Sequence, residues 1–180
     1  MKKIESILRK ERQLYPGAYE EVLEIGQREF GVSKADSIKP VLATYGLATC
    51  IGFAGWDPLQ KIGFLTHYDY YTKFPESFNY LMDCISKQSQ YPKFDVRIIG
   101  GWDKSSEIIT FLKSNLNNSK NIKMRLIEED TGMSNAIVRS IAIDTRTGGT
   151  YSYFPKLNPL HKKPGSFIDL YHYSVAKLLE

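Results

Sequence analysis

The chain has few cysteines and none of the spacings that hold a metal ion. Its 180 residues include two cysteines and three histidines, and neither Cys-x-x-Cys nor His-Glu-x-x-His occurs among them. A disulfide framework needs more cysteines than this in a chain that carries no secretory signal. We therefore expect both thiols to be reduced, and we expect no bound metal and no cofactor.

Long apolar runs and long runs of one charge are also missing. No stretch approaches the ~20 consecutive apolar residues of a membrane-spanning helix, and no apolar segment of the signal-peptide type follows the basic N-terminus. The net charge is +4, but acidic and basic residues are interspersed, which does not favour nucleic-acid binding. These absences predict a soluble, cytoplasmic protein with neither a membrane span nor a nucleic-acid partner.

The hydrophobic content of 42% is enough for one domain with a sizeable core. Its apolar residues are spaced as in strands and amphipathic helices, separated by Gly and Pro. For residues 19–27 a helix remains an alternative to a strand. The predicted strands are 20–34, 40–45, 50–56, 62–68, 95–99, 122–128, 137–144 and 150–154, and the predicted helices are 75–90 and 105–116.

The two ends of the chain differ in composition from the middle. Residues 2–13 form a charged, weakly amphipathic segment that reads as a helix. Three prolines after residue 154 indicate an extended connection, and an apolar stripe over 167–179 predicts a last helix. The sequence therefore predicts an N-terminal helical addition over 1–18, a central domain over 19–154, and a connection with a C-terminal helix over 155–180.

Cys50 lies between Thr44 and His67 in a segment that predicts a glycine-containing turn followed by a hairpin. A neighbouring imidazole can take the proton of a thiol and so make it a nucleophile. The backbone N–H of Cys50 is then the natural donor to the oxyanion that forms when the thiolate attacks a carbonyl. We expect Thr44 to orient the His67 ring, the part that a carboxylate or amide plays in other triads.

A structural role for these residues is the alternative. A lone cysteine in an apolar run is more often a small buried hydrophobe, and a lone histidine is more often a satisfied structural residue. Cys84 fits that description, because it shares one face of the predicted helix 75–90 with Leu81 and Ile85. We expect Cys84 to have a packing role.

Several separated motifs resemble those of the chemoreceptor glutamine deamidase family, CheD. The family signature has the form Thr-x-Gly-Leu-Gly-Ser-Cys, an Asp-Pro turn and then Gly-x-x-x-His. Here Thr44, Cys50 and His67 fall in register with it, as do Asp57 and Pro58. Further matches follow in family order at 96–101, 129–132 and 143–148, so that the resemblance covers about residues 21–154.

This resemblance implies an α/β (α+β) fold, a layered sandwich of mixed or antiparallel sheet with helices. It implies hydrolysis of a glutamine side-chain amide to glutamate with release of ammonia, with Cys50, His67 and Thr44 as catalytic residues. The implied partners are a protein substrate, such as a chemoreceptor, and a chemotaxis phosphatase. Two other functions remain open: a non-catalytic chemotaxis adaptor or binding module, and a toxin-like, host-directed deamidase or transglutaminase.

The flanks of the cysteine and the histidine depart from the family signature. Ala48-Thr49 stands where the family has Gly-Ser, and Tyr68-Asp69 follows the histidine where the family tends to be apolar. Residues that flank reacting groups at strand ends lie on the rim of a site. We therefore expect Thr49, Tyr68 and Asp69 to contact the substrate.

Overall fold

Two β-sheets and two α-helices make up the part of the chain that the computed structural model describes, residues 12–103, 106–118, 121–132 and 139–155. The four-stranded sheet contains β1 (Val22–Glu24), β3 (Val41–Leu47), β8 (Arg139–Asp144) and β9 (Thr150–Tyr151), in the order β1-β3-β8-β9. The five-stranded sheet contains β2 (Phe30–Lys34), β4 (Ile51–Asp57), β5 (Ile62–Tyr68), β6 (Lys93–Gly100) and β7 (Lys123–Thr131), in the order β2-β5-β4-β6-β7. The helices are α1 (Phe74–Gln88) and α2 (Glu107–Asn115).

The five-stranded sheet lies between the four-stranded sheet and the helices. Successive residues of a strand point to opposite faces, so each central strand contributes to two cores. On β4, Phe53 packs in the core that contains Leu81 and Leu112 of the helices, whereas Ala54 packs in the core that contains Leu42 and Ile141 of the four-stranded sheet. The expected mixed α+β class is confirmed.

The hairpin predicted from 50–56 and 62–68 is present as β4 and β5, paired antiparallel. Asp57 starts its turn, because its Oδ1 accepts hydrogen bonds from the backbone N–H groups of Leu59 at 2.8 Å and Gln60 at 3.0 Å. Its Oδ2 accepts from the backbone of Lys93 at 2.7 Å. This buried carboxylate thus fixes the hairpin turn against the start of β6.

The prediction of one strand over 20–34 is wrong. A short 3₁₀ turn (Tyr19–Glu21) leads into β1, and the chain then turns at residues 26–29 before β2. Arg28 in this turn has φ +65°, a left-handed conformation that ends an extended run. β1 pairs with β3, while β2 pairs with β5 in the other sheet.

Helix α1 confirms the apolar face predicted for 75–90. Phe78, Leu81, Met82 and Ile85 are buried, and Pro75 stands in its first turn. Cys84 is 4% exposed and belongs to the core between the helices and the five-stranded sheet. The packing role expected for Cys84 is therefore confirmed.

The terminal additions lie largely outside the described residues. This applies to the predicted helix 2–13 up to residue 11, and to the connection and helix after residue 155. Residues 12–18 are not helical: Leu14 bridges Ser152, and the backbone N–H of Tyr15 donates to the Ser152 carbonyl at 2.9 Å. Neither described helix has the length and apolar character needed to cross a membrane.

Candidate active site

Thr44 and His67 meet between the two sheets. Thr44 stands on β3 and is fully buried, and His67 stands on β5 and is 5% exposed. The Thr44 hydroxyl oxygen is 2.7 Å from His67 Nδ1 and 2.7 Å from the carbonyl oxygen of Ile25. Because the two strands belong to different sheets, this contact depends on how the sheets pack.

The Ile25 carbonyl decides the tautomer of His67. A carbonyl oxygen can only accept, so the single hydroxyl hydrogen of Thr44 points to Ile25. If that hydrogen pointed to the imidazole instead, two oxygen atoms would face each other at 2.7 Å with no hydrogen between them. His67 Nδ1 therefore carries a hydrogen and donates it to Thr44, and Nε2 keeps the lone pair of a base.

Cys50 shares a face of the five-stranded sheet with His67. Leu65 and His67 are two residues apart on β5, so their side chains point to the same face, and Cys50 packs with Leu65 in the core between the two sheets. The described structure contains no hydrogen bond between the Cys50 sulfur and the His67 ring.

The neighbours of the Cys50 sulfur are Gln27 and Thr49. Gln27 Nε2 lies 3.9 Å from the sulfur, and Thr49 directly precedes Cys50 in the chain. The same Gln27 nitrogen donates to Asp69 Oδ2 at 2.9 Å. Gln27 thus connects the thiol with a carboxylate.

Asp69 is held in place on all sides. Its Oδ1 accepts from the Thr72 hydroxyl at 2.9 Å and from the backbone N–H of Tyr71 at 3.0 Å. Its Oδ2 accepts from Gln27 and also from Arg28 Nε at 2.6 Å. The residue is 4% exposed, so a paired guanidinium and several donors stabilise a carboxylate that burial would otherwise disfavour.

Burial keeps both the thiol and the imidazole neutral at rest. Desolvation raises the pKa of Cys50, a hydrogen bond from Thr49 lowers it, the negative charge of Asp69 raises it and Arg28 lowers it. Desolvation lowers the pKa of His67 to about 4, although the charge of Asp69 acts in the opposite direction. At neutral pH the two side chains are therefore a thiol and a neutral imidazole.

A glycine on β6 allows the loop that carries Cys50 to come close. Gly100 has φ +95°, and a Cβ atom there would lie 2.3 Å from the Cys50 carbonyl oxygen. That carbonyl accepts a hydrogen bond from Gly101 N–H at 2.9 Å. The backbone N–H of Cys50 donates to no other group in the described residues, which leaves it available to an oxyanion.

The residues predicted to contact a substrate do not all lie at the site. Thr49 adjoins Cys50 in the chain, and Asp69 is linked to the Cys50 sulfur through Gln27. Tyr68 is 1% exposed and its ring lies in the core between the helices and the sheet. Its position next to His67 on β5 directs it to the opposite face, because successive strand residues alternate.

Exposed aromatic rings surround the strand ends that carry the site. Tyr70 is 89% exposed and Tyr71 53%, both shortly after β5, and Trp102, which follows Gly101, is 56% exposed. The Arg28 guanidinium lies 5.4 Å from the centre of the Tyr71 ring. Exposed aromatic and arginine side chains are typical of surfaces that bind other proteins.

Gln27 and Arg28 are site residues that the sequence did not predict. Both stand in the turn between β1 and β2. The backbone N–H of Arg28 donates to the His67 carbonyl at 2.8 Å, and the backbone N–H of His67 donates to the Glu29 carbonyl at 2.9 Å. The signal available in the sequence was Gly26 followed by three polar residues, which favours a turn. That signal gives no reason for the turn to lie over the histidine.

The described residues contain no group of three or more His, Cys, Asp or Glu side chains arranged to hold a metal ion. Comparison with known proteins found no family model and no curated protein that matches the chain. The arrangement of the residues and the motifs of the sequence are therefore what indicate a function.

Proposed function

We propose that the chain is a cysteine-dependent protein-glutamine deamidase with Cys50 as nucleophile, His67 as general base and Thr44 as the residue that orients His67. The observation that carries the proposal is the Thr44–His67 contact at 2.7 Å, beside the core between the two sheets that also contains Cys50. In this proposal the layered arrangement of two sheets and helices is a CheD-like fold. The motif order in the sequence supports the same assignment.

The proposed reaction starts from the neutral pair. His67 Nε2 takes the thiol proton as the sulfur attacks the side-chain amide carbon of glutamine, and the Cys50 N–H donates to the oxyanion. The imidazolium then gives its proton to the amide nitrogen, and ammonia leaves as a thioester forms. Water, deprotonated by His67, attacks the thioester, and glutamate leaves as the thiol is regenerated.

The proposed substrate is a glutamine on another protein, with chemoreceptors as the first candidates and a chemotaxis phosphatase as a possible regulator. The exposed rings of Tyr70, Tyr71 and Trp102 support a protein substrate, since they offer a wide contact surface around a narrow site. In this proposal Thr49, next to Cys50 in the chain, and Asp69, linked to the sulfur through Gln27, contact the amide group itself.

The test is to incubate the protein with cytoplasmic chemoreceptor fragments and to measure ammonia release and the conversion of glutamine to glutamate in peptides by mass spectrometry. Cys50→Ala should abolish both signals, because covalent catalysis needs the sulfur. Cys84→Ala is the matched control, since its thiol lies in the helix-facing core, and it should keep activity. Turnover that survives in Cys50→Ala would reject the mechanism.

A further inference from the structure

The side-chain carboxamide of Gln27 lies at the proposed nucleophile. Its Nε2 atom is 3.9 Å from the Cys50 sulfur and 2.9 Å from Asp69 Oδ2. A primary carboxamide has two hydrogens on that nitrogen, so one atom can donate to the sulfur and to the carboxylate together. A glutamine substrate carries the same group.

We infer that Cys50 and Asp69 form a subsite for a primary carboxamide, which Gln27 of the chain itself occupies at rest and which a substrate glutamine takes over. The inference rests on the proposed function and names how that site recognises its substrate. Asp69 accepts from the amide NH₂, and this places the amide carbon beside the sulfur. Gln27 is thus an internal competitor of the substrate.

Asp69 is suited to selecting an amide over an acid. An ionised carboxylate only accepts hydrogen bonds, so it binds an NH₂ group and repels another carboxylate. Asp69 Oδ1 already accepts hydrogen bonds from the Thr72 hydroxyl and the Tyr71 backbone N–H. Oδ2, the oxygen that accepts from Gln27, is paired with Arg28. The oxygen that meets Gln27 is therefore fixed in direction before any ligand arrives, and the glutamate product is expelled by charge.

Gln27 can leave the subsite without disturbing the catalytic pair. The turn that carries it is fixed through backbone hydrogen bonds between Arg28, Glu29 and His67, while the Gln27 residue itself is exposed. Rotation about its side-chain bonds empties the space between Cys50 and Asp69, and the strand that holds His67 stays in place.

The test measures access to the Cys50 sulfur in the whole protein without requiring turnover. The probe is methyl methanethiosulfonate, a small neutral thiol reagent, and its rate of reaction at Cys50 is followed by peptide mass spectrometry. Gln27→Ala and Gln27→Met should each react about three- to tenfold faster than wild type, the range expected for the loss of one hydrogen bond of ordinary net strength. Met keeps the length of the side chain, so a gain in both variants reports the lost amide and not only an opened surface.

The second arm asks what the emptied subsite binds. Propionamide should slow the reaction of Cys50 in both Gln27 variants and have little effect on wild type, whereas propionate should protect none of them. Gln90→Ala, an exposed glutamine beyond the end of α1, should behave as wild type in both arms. Thermal unfolding of each variant confirms that it is folded.

Equal or slower reaction of both Gln27 variants, or an absence of protection by propionamide, would overturn the inference. A fall in deamidation by Gln27→Ala with unchanged sulfur access would also overturn it, because Gln27 would then be a donor in the reaction. The proposed function has its own failing outcome. It would be wrong if neither wild type nor either variant deamidated any glutamine, even though Cys50 reacted faster in the variants and was protected by propionamide.

Discussion

The Thr44 hydroxyl decides which nitrogen of His67 carries the hydrogen and which keeps the lone pair. It passes its own hydrogen to the Ile25 carbonyl and accepts one from Nδ1, so that the lone pair stays on Nε2. A threonine can do this only because it is fully buried beside a carbonyl that competes for its hydrogen. In the proposed reaction Thr44 is thus a positioning group for His67 and does not itself react.

Substitutions of Thr44 should therefore distinguish the effect of its hydroxyl group from the effect of its side-chain volume. Thr44→Val keeps the volume but removes the acceptor, and we expect deamidation to fall at least about tenfold, part of the hundredfold to ten-thousandfold that general base catalysis supplies. It should also lower the free energy of unfolding by about 1–3 kcal/mol, because Ile25 and His67 lose a buried partner. Turnover measurements and urea denaturation test both effects.

Thr44→Ser is the matched control, because it retains the hydroxyl. It should keep most of the activity and show the same pH profile as wild type. If Thr44→Val and Thr44→Ser were equally active, the orienting role of the hydroxyl would be wrong.

At the scale of elements, the end of β6 sets the position of the loop between β3 and β4. Gly100 and Gly101 both have positive φ angles, and their backbone contacts the Cys50 carbonyl. A Cβ atom added at Gly101 would lie 3.2 Å from the Ile51 side chain and 3.6 Å from that of Ile109 in α2, whereas one added at Gly100 would meet the loop that carries the thiol.

Gly100→Ala should consequently affect the site and the stability together. Its Cβ would meet the Cys50 carbonyl oxygen at 2.3 Å, and this clash adds to the roughly 1–2 kcal/mol that a left-handed conformation costs a residue other than glycine. We expect a loss of deamidation and a drop in the free energy of unfolding beyond that range, measured by turnover and by denaturation.

Gly46→Ala provides the comparison. Gly46 has φ +77°, but a Cβ there meets no atom within 4 Å. Gly46→Ala should lose only the stability that a left-handed conformation costs, and it should retain more deamidation activity than Gly100→Ala. Equal losses in the two variants would show that the contact with Cys50 is unimportant.

At the scale of the whole molecule, the site lies where two sheets face each other, and this packing governs its titration. His67 is 5% exposed, and burial lowers its pKa from near 6.5 to about 4. The unfolded chain therefore binds one more proton than the folded chain between these two values. Above pH 6.5 this group adds no pH dependence to the free energy of unfolding. Between pH 6.5 and about 4 the free energy of unfolding falls as the pH is lowered.

The size of this effect can be measured. A shift from 6.5 to about 4 corresponds to about 3 kcal/mol of unfolding free energy lost across that range. His67→Gln removes the titrating group, so the difference in stability between wild type and variant should become smaller as the pH falls from 7 to 4. Urea denaturation at several pH values measures it, and a difference that does not change with pH would contradict the burial of a neutral imidazole.

The sequence by itself determined the features that depend on local pattern. The β4–β5 hairpin follows from alternating apolar residues and the Asp57-Pro58 turn, and the inward face of α1 follows from helical spacing. The alternation along β5 also implies that Tyr68 and His67 point to opposite faces. The expectation that Tyr68 contacts a substrate overlooked that alternation.

Only the tertiary structure decided which residues surround the thiol. The chain between β1 and β2 passes from one sheet to the other, and this brings Gln27 and Arg28 to Asp69 across a long stretch of sequence. Likewise, Thr44 reaches His67 because the two sheets pack against each other. Such contacts depend on layer packing between distant strands, and no periodicity in a single sequence contains that information, whereas the order of residues along one strand or helix follows from its own repeat.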